Sequence, residues 1–339
     1  MTLKLVIRRT VSALLSNSGI HGMLEYRHLA EQAFVLMYHR VLSSFANQPY
    51  YVQPGMYVTS ETFERQIVHL LDTCEVIPFN LLVEKLCSGE LIGRQCALTF
   101  DDGWRDNYSV AFPLLKKYQI PATIFLSSGF VGTARTFWPE ELCCLLGRTG
   151  LGGLTSKGAP PAVGRFARQI EGIRYKDESS LFEYSIALLK KYYPAEREEI
   201  LVYLRSSLGS GEFPRQMLSW EEAKEMAQSG LVSFGAHTVN HQLLDQLSLQ
   251  QASDEISRSR SEIENRLGQK IASFAYPNGN HSADIRRIVA ESGFSSAVTT
   301  RKGFVDKSVP LLEIPRIAVH EDVSYTVAMF RSKILLQRF

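Results

Sequence analysis

The sequence predicts a parallel α/β protein, a barrel or an open sheet, interrupted by one mainly helical insertion. Three observations carry this expectation. Short apolar, β-prone runs alternate with stretches of helical periodicity. Acids, imidazoles and glycines collect directly after several of those runs, where parallel α/β folds put their chemistry. The 339 residues, 45% hydrophobic and 21% charged, are enough for a large core and typical of an ordinary globular chain.

At the N-terminus, Lys4, Arg8 and Arg9 lead into Val11-Ser12-Ala13-Leu14-Leu15, an imitation of a secretory signal whose apolar run is short and lacks a small-residue cleavage site. Residues 1–32 are read as a basic helical lead, and no stretch of the chain reaches membrane-spanning length. The expectation is a cytoplasmic protein. Peripheral contact of this lead with the inner membrane face is the minority reading.

Ala33 to Val41 is an apolar run containing His39, read as the first strand, followed by a long polar loop. A lone His at a strand end is by default a structural hydrogen-bonder. Thr59 or Ser60 caps the next helix, with Phe63, Ile67, Leu70 and Leu71 on its buried face and His69 off it. Val76-Ile77-Pro78 suggests a short strand, and Leu81 to Leu86 a helix ending near Gly89.

The organising unit follows. Ala97 to Phe100 is a strand that breaks at Asp101-Asp102-Gly103. Val110, Leu114, Leu115 and Tyr118 then recur at helical spacing until Ile120-Pro121, and Ala122 to Leu126 is the next strand, running into a Gly-containing loop. Residues 133–217 change texture, with a Gly-rich stretch from Gly147 to Gly164 and then helical periodicity through Leu181, Leu188 and Leu204. They are read as an insertion shaping the substrate cleft, with a separate interaction module as the alternative. Ser219 and Glu222 form a capping box for a helix ending at Gly230, and Leu231 to Ala236 is a strand that leads into His237-Thr238-Val239-Asn240-His241. A long helix through Ile256 and Ile263, a strand from Ala272, a helix from Ile285 to Glu291, and strands at Ser296–Thr299 and Glu313–Val319 complete the alternation. The main fold is thus assigned to 33–132 and 218–325, and a C-terminal helix to 326–339.

Composition excludes several classes. A net charge of +2 gives no argument for nucleic acid, and five Cys with no C-x-x-C pair indicate neither a disulfide framework nor a thiolate zinc site. Two adjacent carboxylates at a strand end repel each other unless a cation or shared proton relieves them. An isolated Asp-Asp-Gly is a common turn. Together with His237 and, four residues on, His241, it makes a two-imidazole, one-carboxylate set with open positions, the pattern of a catalytic metal.

These residues match a family. Thr99-Phe100-Asp101-Asp102-Gly103 and His237-Thr238-Val239-Asn240-His241 resemble the first two motifs of the polysaccharide deacetylases, carbohydrate esterase family 4 with its NodB-homology domain, over roughly 33–132 and 218–320. The resemblance implies a distorted parallel (β/α) barrel that removes acetyl groups from N-acetylated glycans such as chitin, peptidoglycan or exopolysaccharide. It implies one divalent metal, zinc foremost among divalent transition metals, on Asp102, His237 and His241, with Asp101 as general base. Two departures stand out. Ala275 occupies the place of an Arg that orients the base in many members, and Ile317-Ala318-Val319-His320 matches the late acid motif imperfectly. Tyr38-His39-Arg40-Val41 and Ala275-Tyr276-Pro277-Asn278-Gly279 instead resemble the rearranged subgroup acting on poly-N-acetylglucosamine. By that resemblance His39, ahead of His320, is the general acid, a backbone N–H near Asn278 is the oxyanion donor, and Tyr276 and Pro277 with Gly279 shape the pocket. Trp104 and Trp138 are candidate sugar-stacking surfaces, with packing as the default, and Arg105 and Asp106 contact sugar, brace the site or, with equal weight, lie on a solvated loop. An N-acetylated polysaccharide or lipid-linked glycan is the expected partner, with no nucleic acid and the oligomeric state open. The rival readings are a glycan-binding barrel that has lost catalysis, supported by Ala275, and a deacylase of a small amide.

Overall fold

In the computed structural model, which describes residues 3–44, 51–154, 159–171, 173, 175–208 and 214–336, the chain enters through α1 (Leu3–Asn17) and α2 (Ile20–Leu29). The first strand, β1 (Phe34–Tyr38), is buried along its length, as befits a parallel strand covered on both faces. The apolar run continues, yet the strand stops at His39, and β2 (Arg40–Leu42) leaves the sheet to pair in parallel with β3 (Tyr57–Thr59). The single strand expected over Ala33 to Val41 is therefore two. The cause lies far along the chain: buried Asp106 accepts Arg40 Nε at 2.8 Å and the Val41 N–H at 3.0 Å, drawing the backbone off the sheet.

Helix α3 (Ser60–Thr73) is capped by Thr59, whose side chain accepts the Thr62 N–H. It buries Phe63, Ile67 and Leu70, but Leu71 is 47% exposed and His69 packs edge-on to Phe330, reversing the expectation for both. Then come β4 (Glu75–Val76), α4 (Phe79–Ser88), β5 (Gln95–Phe100), a π-helical turn at Asn107–Ala111, α5 (Phe112–Tyr118) and β6 (Ala122–Leu126).

The described part of a second compact unit falls within 51–53 and Ala134–Arg215. Its helices are α6 (Trp138–Thr149), α7 (Pro161–Glu171), α8 (Glu178–Leu189) and α9 (Pro194–Leu208), around a core that includes Leu145, Phe166, Ile186 and Leu201. The Gly-rich stretch is itself partly helical, with Gly147 inside α6 and Gly164 inside α7, because the apolar stripe outweighs the propensity cost of one glycine. Residues 155–158 of that stretch, 45–50 of the polar loop and 337–339 of the expected C-terminal helix lie outside the described residues.

The first unit resumes with α10 (Trp220–Gln228), held by the Ser219/Glu222 capping box, then β7 (Val232–Ala236), α11 (Leu249–Leu267), β8 (Ser273–Ala275), α12 (Ala283–Glu291), β9 (Ser296–Val298), β10 (Ile317–Ala318), α13 (Glu321–Ser324) and α14 (Val327–Leu335). All sheet pairings are parallel, in the order β10-β1-β5-β6-β7-β8-β9 with β4 also on β5. The expected strand over Glu313 to Val319 shrinks to β10 plus a bridge from Ile314 to Val298, since Pro315 has no N–H to donate to a ladder. That broken segment runs from β9 at one edge to β1 at the other and curls the sheet into a distorted barrel.

Strand alternation sorts the side chains. Leu98 and Phe100 face the helices, while Ala97 joins Val35, Phe125 and Ala275 in a separate inner cluster. Gly235 stands directly beside Phe125, where a Cβ would come within 2.4 Å of the ring, so only glycine fits. Among the described residues, no helix is long and apolar enough to cross a membrane.

Candidate active site

The strand parity that points Ala97 inward carries on to Thr99 and Asp101. Register does the rest: Tyr38 pairs with Phe100, so His39 and Asp101 are the next residues out of two adjacent strands, and the Asp101 N–H donates to the Tyr38 carbonyl at 3.0 Å.

Asp101 is clamped by a residue that sequence reading passed over as part of a strand. Arg316, fully buried, donates from Nη1 to Oδ1 at 2.7 Å and from Nη2 to Oδ2 at 2.6 Å, while Nε donates to the Thr299 carbonyl at 3.0 Å and Nη1 also to Thr99 Oγ1 at 3.1 Å. Burial alone would push the Asp101 carboxyl up. The paired guanidinium, with His237 and His39 nearby, overrides it and holds the group well below the usual carboxylate range. The available signal was an Arg between Ile314-Pro315 and Ile317, since a charge inside an apolar strand demands a buried partner.

Asp102 is turned the other way by a left-handed backbone, with φ 79°. Its Oδ2 accepts from Trp104 Nε1 at 2.9 Å, while its buried Oδ1 makes no hydrogen bond among the described residues and lies 3.4 Å from His241 Nε2 and 3.6 Å from His237 Nε2. His237 donates from Nδ1 to the Ala275 carbonyl at 2.7 Å, so the neutral ring presents the lone pair of Nε2 to that oxygen. Facing lone pairs without a proton between them are repulsive. A cation among the three, whose donor atoms all lie within 4.8 Å of one another, removes the repulsion, so the residues fit a divalent metal.

The loop carrying the imidazoles is strained and over-determined. Thr238 and His241 have φ of 62° and 53°, and Glu255 on α11 accepts the Val239 and Asn240 N–H groups at 3.0 and 2.8 Å. His241 is held down to about 4, chiefly by burial and against the pull of Asp102, while 29% of its side chain still meets water. It is therefore neutral, as a ligand must be, at ordinary pH.

Beneath the site, Asp106, Arg40 and Trp104 form a buried chain. The Arg40 guanidinium, paired with Asp106, lies 4.3 Å above the Trp104 ring, and that indole holds Asp102. Trp104 is fully buried, so the sugar-stacking alternative is wrong and its role is to orient a carboxylate. Asp106 braces, whereas Arg105 is exposed and pairs with Glu222 at 3.2 Å. Trp138, in the second unit, lies under the Arg197 guanidinium at 4.6 Å. Trp104→Phe should keep the packing, lose the hydrogen bond and weaken divalent-metal affinity by about 10–100-fold, read with added zinc as the probe by competition with a chromogenic chelator; an unchanged affinity would remove Trp104 from the site.

Of the remaining sequence candidates, half-buried His39 has its carbonyl held by Asn107 Nδ2 at 2.8 Å and its imidazole close enough to bias both Asp101 and His241. His320 stands at the N-cap position of α13, its ring making no capping hydrogen bond but engaged by Asp322. Pro277, Asn278 and Gly279 form a turn after β8, with exposed Asn278 at φ 56° and Gly279 so close to Thr300 that a Cβ would meet it at 2.2 Å. Tyr276 departs from expectation. Its ring is fully buried, stacked on His281, and its hydroxyl donates to the Leu312 carbonyl at 3.1 Å, so it supports the turn from beneath and does not wall a pocket.

The curated Bacillus subtilis protein YxkH, assigned by name to the polysaccharide deacetylases, is 22% identical over 232 residues, which is 68% of this chain; the chain spans about half, 54%, of that relative. The Streptococcus pyogenes deacetylase PplD, solved in complex with acetate, is 22% identical with a TM-score of 0.57, covering 87% of this chain and 95% of its own. IcaB from Ammonifex degensii is 23% identical with a TM-score of 0.58, covering 90% and 99%. These two structures share the fold. The polysaccharide deacetylase family model matches residues 89–297, more than half of the chain, spanning Asp101, Asp102, His237 and His241 but ending before Arg316, and the chain accordingly belongs to the polysaccharide deacetylase family.

Proposed function

We propose that this chain hydrolyses N-acetyl groups on an N-acetylated polysaccharide or lipid-linked glycan of the exopolysaccharide class, using one divalent metal held by Asp102, His237 and His241. The observation that carries the reading is the split between two adjacent carboxylates. Asp101 is locked by Arg316, whereas Asp102 offers a bare oxygen to two imidazole nitrogens. When bound, the metal, with zinc as the first choice, polarises the acetyl carbonyl and acidifies water.

The protein's own groups account for the proton traffic. Asp101 takes a proton from the attacking water, whose oxygen bonds to the acetyl carbon. The Asn278 N–H stabilises the developing oxyanion. His39 donates a proton to the sugar nitrogen as the C–N bond breaks, leaving acetate and a free amine. Support for the exopolysaccharide class comes from the Tyr38-His39-Arg40-Val41 and Ala275 to Gly279 segments. The rival reading of a barrel without catalysis rested on Ala275, and Arg316, in the irregular segment just before β10, brings a guanidinium to the base.

Acetate release from N-acetylglucosamine oligomers tests this. Chelation should reduce release to background and zinc restore it, rates should rise with oligomer length, and His39→Ala should lose roughly 10²–10⁴-fold. Stoichiometric zinc binding with no release from any oligomer would move the chain to another amide substrate.

A further inference from the structure

Helix α1 shows large apolar side chains to water although its inward face is only partly apolar. Inward, Leu5 and Leu15 stand among Arg8, Ser12 and Ser16: Ser12 is fully buried, and Ser16 Oγ accepts from Arg331 Nη1 of α14 at 3.2 Å. Outward, at i, i+4 and i+7, stand Ile7, Val11 and Leu14, 54%, 41% and 64% exposed. A helix that served only to complete a core would not leave such a row of apolar side chains in water. Helix α2 adds Met23 and Tyr26, 60% and 72% exposed, and the two helices hold seven of the thirteen large apolar side chains exposed among the described residues.

Polar contacts fix the pair in this pose. Arg331 donates to both carboxylate oxygens of Glu25 at 2.7 and 2.8 Å, and His21 Nε2 lies 2.8 Å from Ser332 Oγ. The apolar faces are therefore held outward from anchored helices. Charge indicates what covers them. Residues 1–24 contain no Asp or Glu but include Lys4, Arg8 and Arg9, with Lys4 and Arg9 exposed. At 15 residues, α1 is about 22 Å long, too short to span a bilayer but suited to lie along one.

We propose that the α1–α2 pair docks this chain on an anionic lipid surface, with Ile7, Val11 and Leu14 entering the boundary between headgroups and acyl chains and the positive lead drawn to acidic headgroups. This inference stands apart from the catalytic reading. An enzyme working on a lipid-linked or membrane-emergent glycan gains from it, but neither claim needs the other.

Sedimentation of the full chain with vesicles tests it, using phosphatidylcholine alone and phosphatidylcholine mixed with phosphatidylglycerol. The parent should pellet with the mixed vesicles, less so as salt rises. Ile7→Asp combined with Leu14→Asp should lower the partition coefficient at least about tenfold, with an unchanged thermal melt because both positions are exposed. Lys4→Glu combined with Arg9→Glu should weaken binding to mixed vesicles and leave any binding to neutral ones unaltered. A parent that stays in the supernatant with both compositions, or an Asp double variant that pellets as well as the parent, would overturn the proposal. So would a parent dimer in light scattering that the Asp variant converts to monomer without any vesicle binding, since a second copy would then own the face.

Discussion

Asp101→Asn is expected to lower acetate release by roughly 10²–10⁴-fold while leaving zinc stoichiometry intact, and Asp102→Asn to lose the zinc itself. The contrast follows from what each carboxylate touches. Asp101 spends both oxygens on Arg316 and, among the described residues, belongs to no cluster of converging metal donors, whereas Asp102 Oδ1 faces two imidazole nitrogens. An amide at 101 keeps the shape of the side chain but cannot take a proton from water, and its NH2 group opposes one arm of the guanidinium. The pair therefore separates base from ligand in a way neither variant does alone. Zinc titration is the control for folding: an Asp101→Asn protein that binds one equivalent of zinc has kept the His237 loop and Asp102 in place. If it also retained more than a tenth of the parent rate, Asp101 would be removed from the chemistry.

The parts of the site that are legible in the sequence are those whose partners are local. Asp101 and Asp102 declare themselves because two carboxylates follow a strand directly, and His237 and His241 because their spacing and the strand before them lie within ten residues. The parts that are not legible depend on contacts across the chain. The end of β1 at His39 is set by Asp106, more than sixty positions later, so the apolar run gives no sign of it. Arg316 finds its carboxylate 215 positions away, and no periodicity encodes that distance. Tyr276 is misread for the same reason, because an aromatic after a strand end suits a pocket wall equally well, and only the Leu312 carbonyl and the His281 ring make it a support. Helix α3 adds a smaller case: the apolar pattern admits Leu71 to the buried face, but His69 takes that place because α14 presents Phe330 to it.

Arg316→Met should be the most destabilising change at the site and should also reverse the sign of its pH dependence. Removing one member of a buried pair leaves an uncompensated charge, a loss of about 3–5 kcal/mol. In the parent, Asp101 titrates well below an unfolded aspartate, so its stabilisation is fully present above about pH 4 and fades only as pH falls through the lower folded value. Burial is already the largest single influence on Asp101, and without the guanidinium it is opposed chiefly by the weaker pull of His237 and His39, so the carboxyl is expected to rise. The folded state then binds more protons than the unfolded one above pH 4, so stability declines as pH rises through that window, where the parent is flat. Activity should follow the same group: kcat falls, and the acid limb of the profile moves to higher pH because the base is protonated further up. Arg316→Lys keeps a charge but not the two-pronged geometry, and should recover part of the stability and little of the rate. Urea melts across the acid range, read beside the rate profile, distinguish this from a general loss of packing, which would lower stability equally at every pH and leave the acid limb where it was. A variant with the parent's profile in both would mean that Arg316 holds the barrel closed at Thr299 and has no hold on Asp101 that matters to the reaction.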